Sequence, residues 1–229
     1  FTSKQYCDTL NTTVWWDTVA GEVKLPPFEL TLAGSHTLYN CLPQQVAIAG
    51  DYAYLAVNNR GLRVVDISDP TSPVYVASHS TPWEAHDVDV SGDYAFVTAL
   101  YAGLQVIDIS DPAAPDSIGS YDTLGLAYGV AVSGDYAYVA AWTAGLEVID
   151  ISDPANPTLA GSFATPGGAR DVAISGDYAY VADFSKGLRV VDISDPIHPT
   201  EVGSYEMPGY ARGIAVSGSY AYVANYNSG

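Results

Sequence analysis

Three groups of residues in this chain have the types and spacing that chemistry requires. The first is His86-Asp87-x-Asp89, one imidazole and two carboxylates within four positions, which invites a metal reading. On a strand, residues 87 and 89 project to one side and 86 to the other, so the three do not converge. The remaining His, at 36, 79 and 198, supply no zinc spacing. The second group is Asp-Ile-Ser-Asp-Pro, repeated at 66–70, 108–112, 150–154 and 192–196. Structural calcium requires six to eight oxygens with several carboxylates converging. The other reading is structural: Asp accepts backbone amides in a turn and Pro presets φ.

The third group is a set of aromatics and cations that recur at one interval but differ in type. One series is Gln44, His86, Tyr128, Arg170 and Arg212; another is Asn58, Leu100, Trp142, Phe184 and Tyr226, next to Arg60, Tyr101 and Lys186. Trp83 and Tyr210 lie close to both. Aromatics with Arg suit a protein or glycan contact. The bland alternative is that the rings pack on neighbouring loops and the Arg pair with Asp171 or Glu206. Catalysis has little to stand on. There is no G-x-S-x-G, no Cys–His pair and no phosphate loop. Asp87 and Asp171, at matched positions two repeats apart, would have to approach to about 5–9 Å to serve a glycoside hydrolase. No cofactor and no metal is expected beyond the calcium reading.

The elements that hold these residues follow from the repeat. SGDYAYVADFSKGLRVVDISDP at 175–196 returns at 91–112 and 133–154, and at 49–70 with Ala first. The Asp of GDY falls at 51, 93, 135 and 177, a period of 42 residues, and a fifth copy starts at Ser217. A period of about 40–50 residues built of short strands is the signature of a β-propeller, one repeat per blade. Within a repeat the strands read Gly129–Val132, Tyr136–Ala140, Leu146–Ile151 and Leu159–Ser162. A Ser-Gly-Asp hairpin follows the first and an Asp-Pro turn follows the third. Tyr at 52, 54, 94, 136, 138, 178, 180, 220 and 222 reads as core between blades. The turns SGDY and SDPxxP barely change and share one face; the other connections vary and share the opposite face, with the Gln44–Arg212 series around the mouth of the central channel. Variable loops on a rigid scaffold are where binding usually sits.

In the N-terminal part, Thr31-Leu32-Ala33-Gly34-Ser35 matches Thr158–Ser162 as a fourth strand. Val14-Trp15-Trp16-Asp17 lies on Arg63-Val64-Val65-Asp66 as a third. Residues 211–229 supply strands one and two. The expected architecture is an all-β, five-bladed propeller of four-stranded, 42-residue blades. It is one domain over 1–229: 1–42 irregular with the closing strands, 43–210 four full repeats, 211–229 a half repeat. Exchange of these half-blades between copies, linking a filament, is the alternative.

The balance of 26 acids against 8 Lys plus Arg, a net charge of −18, disfavours nucleic acid and anionic membrane surfaces as partners. Twelve Asp stand at three repeated positions, so much of the charge is repetition. No apolar run is long enough to span a bilayer. A start at Phe1 fits a mature secreted chain. Cys7 and Cys41 lie outside the regular repeats; in that setting they read as one disulfide closing about 35 residues, against two buried free thiols. Asn11-Thr12-Thr13 is an N-glycosylation sequon.

The stretches GLRVVDISDP, GLQVIDISDP and GLEVIDISDP, each behind a SGDYAYVA-type segment, resemble the LVIVD repeat of secreted or cell-surface proteins of bacteria and archaea. The resemblance covers residues 43–229. It implies a β-propeller and an extracytoplasmic setting; it implies no common activity and transfers no catalytic residue. The expectation is a secreted or surface-exposed, non-enzymatic module binding a protein or glycan partner through its variable face. A glycan-directed lectin or hydrolase is the runner-up.

Overall fold

The computed structural model describes residues 42–227 together with Ser35, and among them every regular element is a strand. The first blade holds β1 (Pro43–Ala49), β2 (Tyr52–Val57), β3 (Gly61–Asp66) and β4 (Val74–His79). The second holds β5 (Asp87–Ser91), β6 (Tyr94–Thr98), β7 (Leu104–Asp108) and β8 (Asp116–Tyr121). The third holds β9 (Gly129–Ser133), β10 (Tyr136–Ala140), β11 (Leu146–Asp150) and β12 (Thr158–Phe163). The fourth holds β13 (Asp171–Ser175), β14 (Tyr178–Ala182), β15 (Leu188–Asp192) and β16 (Thr200–Tyr205). β17 (Tyr210–Ser217) and β18 (Tyr220–Tyr226) form a two-stranded half-blade. Each sheet is an antiparallel meander in chain order, and the first strands pack in succession: β1 on β5, β5 on β9, β9 on β13, β13 on β17.

Two turns set each blade's shape. In SGDY only the Gly, the first central residue of a two-residue hairpin, has positive φ (56–57°), the pattern of a type II′ turn whose twist matches the strands. After the third strand, Asp66 Oδ1 accepts the Ser68 amide at 2.8 Å and Asp69 Oδ1 accepts the Thr71 amide at 2.9 Å. The same amide bonds recur at Asp108, Asp111, Asp150, Asp153, Asp192 and Asp195. The Ile67 amide donates to the Asp51 carbonyl at 2.8 Å, which fastens the two turns together on one face. The repeated Asp are therefore turn acceptors. Hydrogen bonds from the following Ser hold the carboxyls of Asp66, Asp108, Asp150 and Asp192 below the usual carboxylate range.

The core lies between blades rather than inside one sheet. Alternate residues of a strand face opposite neighbours, so both faces are apolar. Tyr54, Ala56, Leu62 and Val64 of the first blade meet Val88, Ala95, Val97 and Ile107 of the second. Phe96, Leu104 and Val106 then meet Val130, Val139 and Ile149 of the third, and Tyr138, Leu146 and Val148 meet Val172, Val181 and Val191 of the fourth.

One expectation is corrected. Tyr54 and Tyr138 are 3% exposed, but Tyr178, Tyr220 and Tyr222 are 41%, 69% and 59% exposed. The reason is geometric: Tyr220 and Tyr222 lie on a half-blade whose described strands end at β18, so no described strand covers that surface. The closing strands within 1–42, the Cys7–Cys41 pairing and the Asn11 sequon lie outside the described residues.

Candidate functional site

The variable connections, between second and third strands and between consecutive blades, share the face opposite the Asp turns. There each blade clamps the next through its backbone. Asn58, Leu100, Trp142 and Phe184 form isolated bridges with Ala85, Ala127, Ala169 and Ala211. All four loop residues have positive φ, from 23° to 42°. For Leu, Trp and Phe that region is strained, on the order of 1–3 kcal/mol each, and such strain concentrates at functional sites.

The series predicted to ring the channel mouth sits directly after those bridges. His86, Tyr128 and Arg170 donate their amides to Thr98, Ala140 and Ala182 at 2.8–2.9 Å. Gln44 and Arg212 occupy β-bulges in β1 and β17. A bulge redirects one side chain while the strand continues, which is how a single position of an apolar strand comes to serve the loop face.

These side chains form a row of rings. His86 meets Tyr128 edge-on at 4.8 Å between centroids, and its Nδ1 lies 3.2 Å from the Tyr128 carbonyl. Tyr128 meets Trp142 at 5.5 Å, Trp142 meets Phe184 at 5.1 Å, and Phe184 stacks on Tyr210 at 4.3 Å. The Arg170 guanidinium lies 4.0 Å from the Tyr128 ring centre and 5.5 Å from that of Trp142. Arg212 covers Tyr226 at 4.1 Å, both exposed. A second pair, Trp83 and Tyr101, meets at 5.0 Å and is 54% and 69% exposed. The geometry thus joins His86, Tyr128, Arg170, Trp142, Phe184 and Tyr210. It sets Trp83–Tyr101 and Arg212–Tyr226 apart as separate pairs, and it leaves Gln44 in the first blade outside the row.

The carboxylates of Asp87 and Asp89 are committed to the scaffold. Asp87 accepts the Val88 amide at 2.8 Å and, with its other oxygen, the Val130 amide of the next blade at 3.0 Å. Asp89 repeats the arrangement with Val90 and Val132, each at 2.8 Å, so 87 and 89 do point one way. Among the described residues no three His, Cys, Asp or Glu side chains converge as metal ligands would.

Sequence reasoning missed a supporting layer. The third strands carry a polar residue near their loop end: Arg63, Gln105, Glu147 and Arg189. Gln105 Nε2 donates to the Ala102 carbonyl at 2.6 Å, and Glu147 Oε1 accepts the Leu124 amide at 2.9 Å. Arg189 reaches the buried Asp183 at 3.3 Å, Glu201 at 3.5 Å and the Lys186 carbonyl at 3.3 Å. Asp183 in turn accepts the Gly167 amide at 3.0 Å. Glu147 is fully buried, its Oε2 has no hydrogen-bond partner among the described residues, and burial pushes its carboxyl above the usual range. The signal was there: a polar side chain recurring at the 42-residue period inside an apolar strand.

The cations lie toward the loop face, which also carries the acids Glu84, Asp122, Asp183 and Glu206, and Lys186 pairs with Glu206 at 3.7 Å. Every Lys and Arg among the described residues (Arg60, Arg63, Arg170, Lys186, Arg189, Arg212) lies in a variable loop or at the loop end of a strand. The twelve repeated Asp all lie in the turns of the other face.

The LVIVD-repeat family model matches five times, at residues 43–81, 84–123, 124–165, 166–207 and 208–229. The chain belongs to the LVIVD-repeat family. The five matches coincide with the four blades and the half-blade, so the family unit is one blade. Among solved structures, this LVIVD-repeat chain is similar to the computationally designed Ika8 protein, with a TM-score of 0.65 and 12% identity. That match covers 82% of the LVIVD-repeat chain, which spans 56% of the Ika8 chain's length. It is also similar to the computationally designed Ika4 protein, with a TM-score of 0.58, 12% identity, and coverage of 71% of this chain and 98% of that one. At these identities the likeness concerns fold alone. No curated protein matches the chain.

Proposed function

We infer that this LVIVD-repeat protein is a non-enzymatic interaction module of the cell exterior that engages a protein or glycan through its loop face. One observation carries the reading: blades that are near-copies at the Asp turns differ at the loops, and the differing residues form the Tyr128–Trp142–Phe184–Tyr210 row with Arg170 against it. A scaffold repeated this faithfully has no structural reason to vary its loops toward aromatics held at strained φ. The buried acids near the face accept scaffold amides, which supports binding over catalysis. An exterior setting agrees with the family resemblance and with the acidic surface.

The test is a panel of glycans and surface proteins read by tryptophan emission, since Trp83 and Trp142 both lie on this face. Ligands that bind should change that emission. A panel in which binders leave it untouched would count against the loop face. A second reading, exchange of half-blades between copies, is favoured by exposed Tyr220 and Tyr222 on the two-stranded sheet. Strictly monomeric elution at high concentration would remove it.

A further inference from the structure

We propose that the loop face binds an acidic polysaccharide, a chain of uronate-type sugars laid along the aromatic row with its carboxylates on the flanking cations. The proposal rests on the loop-face reading and adds to it the chemical class of the ligand.

The first support is the placement of the cations. In a chain of net charge −18, all six described Lys and Arg gather at the loop face, while the twelve turn Asp occupy the other. Arg189 is buried against Asp183 and Glu201, and Lys186 pairs with Glu206 at 3.7 Å, so the exposed Arg60 and Arg212 are what the loop face offers a polyanion, while the Asp-turn face repels it. A neutral ligand would gain nothing from that placement. Arg212 is the clearest contact. It is exposed, its guanidinium carbon lies 4.1 Å from the Tyr226 ring centre, and a guanidinium at the surface can take a carboxylate in bidentate fashion.

The second support is the row itself. Rings step from Tyr128 to Trp142 to Phe184 to Tyr210 at 4.3–5.5 Å, from the third blade to the half-blade, with Tyr128, Trp142 and Phe184 half-buried and Tyr210 exposed. A pyranose has an apolar C–H face and a polar rim, and amphipathic aromatics match both. A platform of successive rings suits a chain of flat rings better than a single small molecule.

The third support separates sugar from peptide. An extended peptide binds by adding a strand to an open edge. On this face the backbone is already spent in the bridges: the Ala85 amide donates to the Asn58 carbonyl at 2.9 Å, Ala127 to Leu100 at 3.0 Å, Ala169 to Trp142 at 3.0 Å and Ala211 to Phe184 at 2.9 Å. These bridges occupy the backbone between consecutive blades, which favours stacking and charge over strand addition there.

The experiment compares three polymers on the intact chain by calorimetry and tryptophan emission: polygalacturonate, neutral dextran and poly-glutamate. The expected result is binding to polygalacturonate at least tenfold tighter than to the other two, weakening as salt rises. Arg212→Gln should reduce it severalfold or more, as should Tyr210→Leu, while Asp153→Asn on the turn face should not. Tyr210 and Arg212, at the loop end of β17, are both exposed, so folding is retained and checked by circular dichroism. Equal binding of poly-glutamate would overturn the sugar component, and equal binding of dextran the charge component. Absence of polygalacturonate binding would overturn the proposal while leaving the loop face open to another partner. Binding insensitive to Arg212 and Tyr210 but sensitive to Asp153 would overturn the loop-face reading as well.

Discussion

The Asp171 carboxylate joins two blades: one oxygen accepts the Val172 amide at 2.9 Å, and the other accepts the Ile214 amide of the half-blade at 2.8 Å. The Asp87–Val130 pair does the same two blades earlier. Asp171→Ala should therefore destabilise the protein by on the order of 3 kcal/mol, because two buried amides lose their acceptor. Asp171→Asn should destabilise less, since one oxygen remains. Urea unfolding midpoints check both; an Ala variant within 0.5 kcal/mol of the parent would remove the clamp from the account.

Glu147 offers a substitution of opposite sign. Burial raises its carboxyl in the folded state, so folding favours the protonated form. Stability attached to this group is thus full below the ordinary Glu range and declines as pH rises through the raised folded value. Glu147→Gln should stabilise the protein at neutral pH and lose that advantage near pH 4. The second blade shows that Gln fits: Gln105 holds the Ala102 carbonyl at 2.6 Å, and Ala144 stands one repeat on from Ala102. Thermal unfolding across pH 4–8 reads the crossover.

The turn Asp act the other way. Asp66, Asp108, Asp150 and Asp192 are held below their ordinary range by Ser hydrogen bonds. Their contribution is present above about pH 4. It is lost as pH falls through the lowered values. Because four blades share the device, acid unfolding should be steep, and Asp108→Asn should flatten it while costing stability at pH 7. A variant with unchanged slope would contradict the assignment.

Two glycines with similar positive φ separate strain from space. At Gly92, φ +57°, an added Cβ meets nothing within 4 Å, so Gly92→Ala should cost only the left-handed penalty, about 1–2 kcal/mol. At Gly103, φ +67°, the Cβ would stand 2.1 Å from the Tyr121 carbonyl oxygen. Gly103→Ala should exceed about 4 kcal/mol or prevent folding. Equal effects at the two sites would show that this contact relaxes freely.

The blades were legible in the sequence because every strand and turn recurs at one period, so a misreading in one copy is corrected by the next. Strand Tyr136–Ala140 agrees to the residue, and the turn roles of Asp66 and Asp69 follow from their spacing to Pro70. The loop series was legible as a list but not as a row. Spacing along the chain does not say that Tyr128, Trp142 and Phe184 touch across blades, since that depends on how far each blade rotates from the last. The bridges that hold Trp142 at φ 42° are also invisible locally, because the partner, Ala169, lies 27 positions on. Burial of Tyr220 and Tyr222 was misjudged by the logic that worked elsewhere: a repeated residue is core only where a neighbouring blade covers it.

The central claim is that the loop face, and not the Asp-turn face, meets the partner. Hydrogen–deuterium exchange of the intact chain with and without polygalacturonate, or with any ligand found on the panel, tests it most directly. The account expects protection in the loops at 99–103, 122–128, 141–145, 164–170, 183–187 and 206–212, with the turns at 91–94, 108–114, 133–136 and 150–156 unchanged. Protection of those turns with the loops unchanged would contradict it.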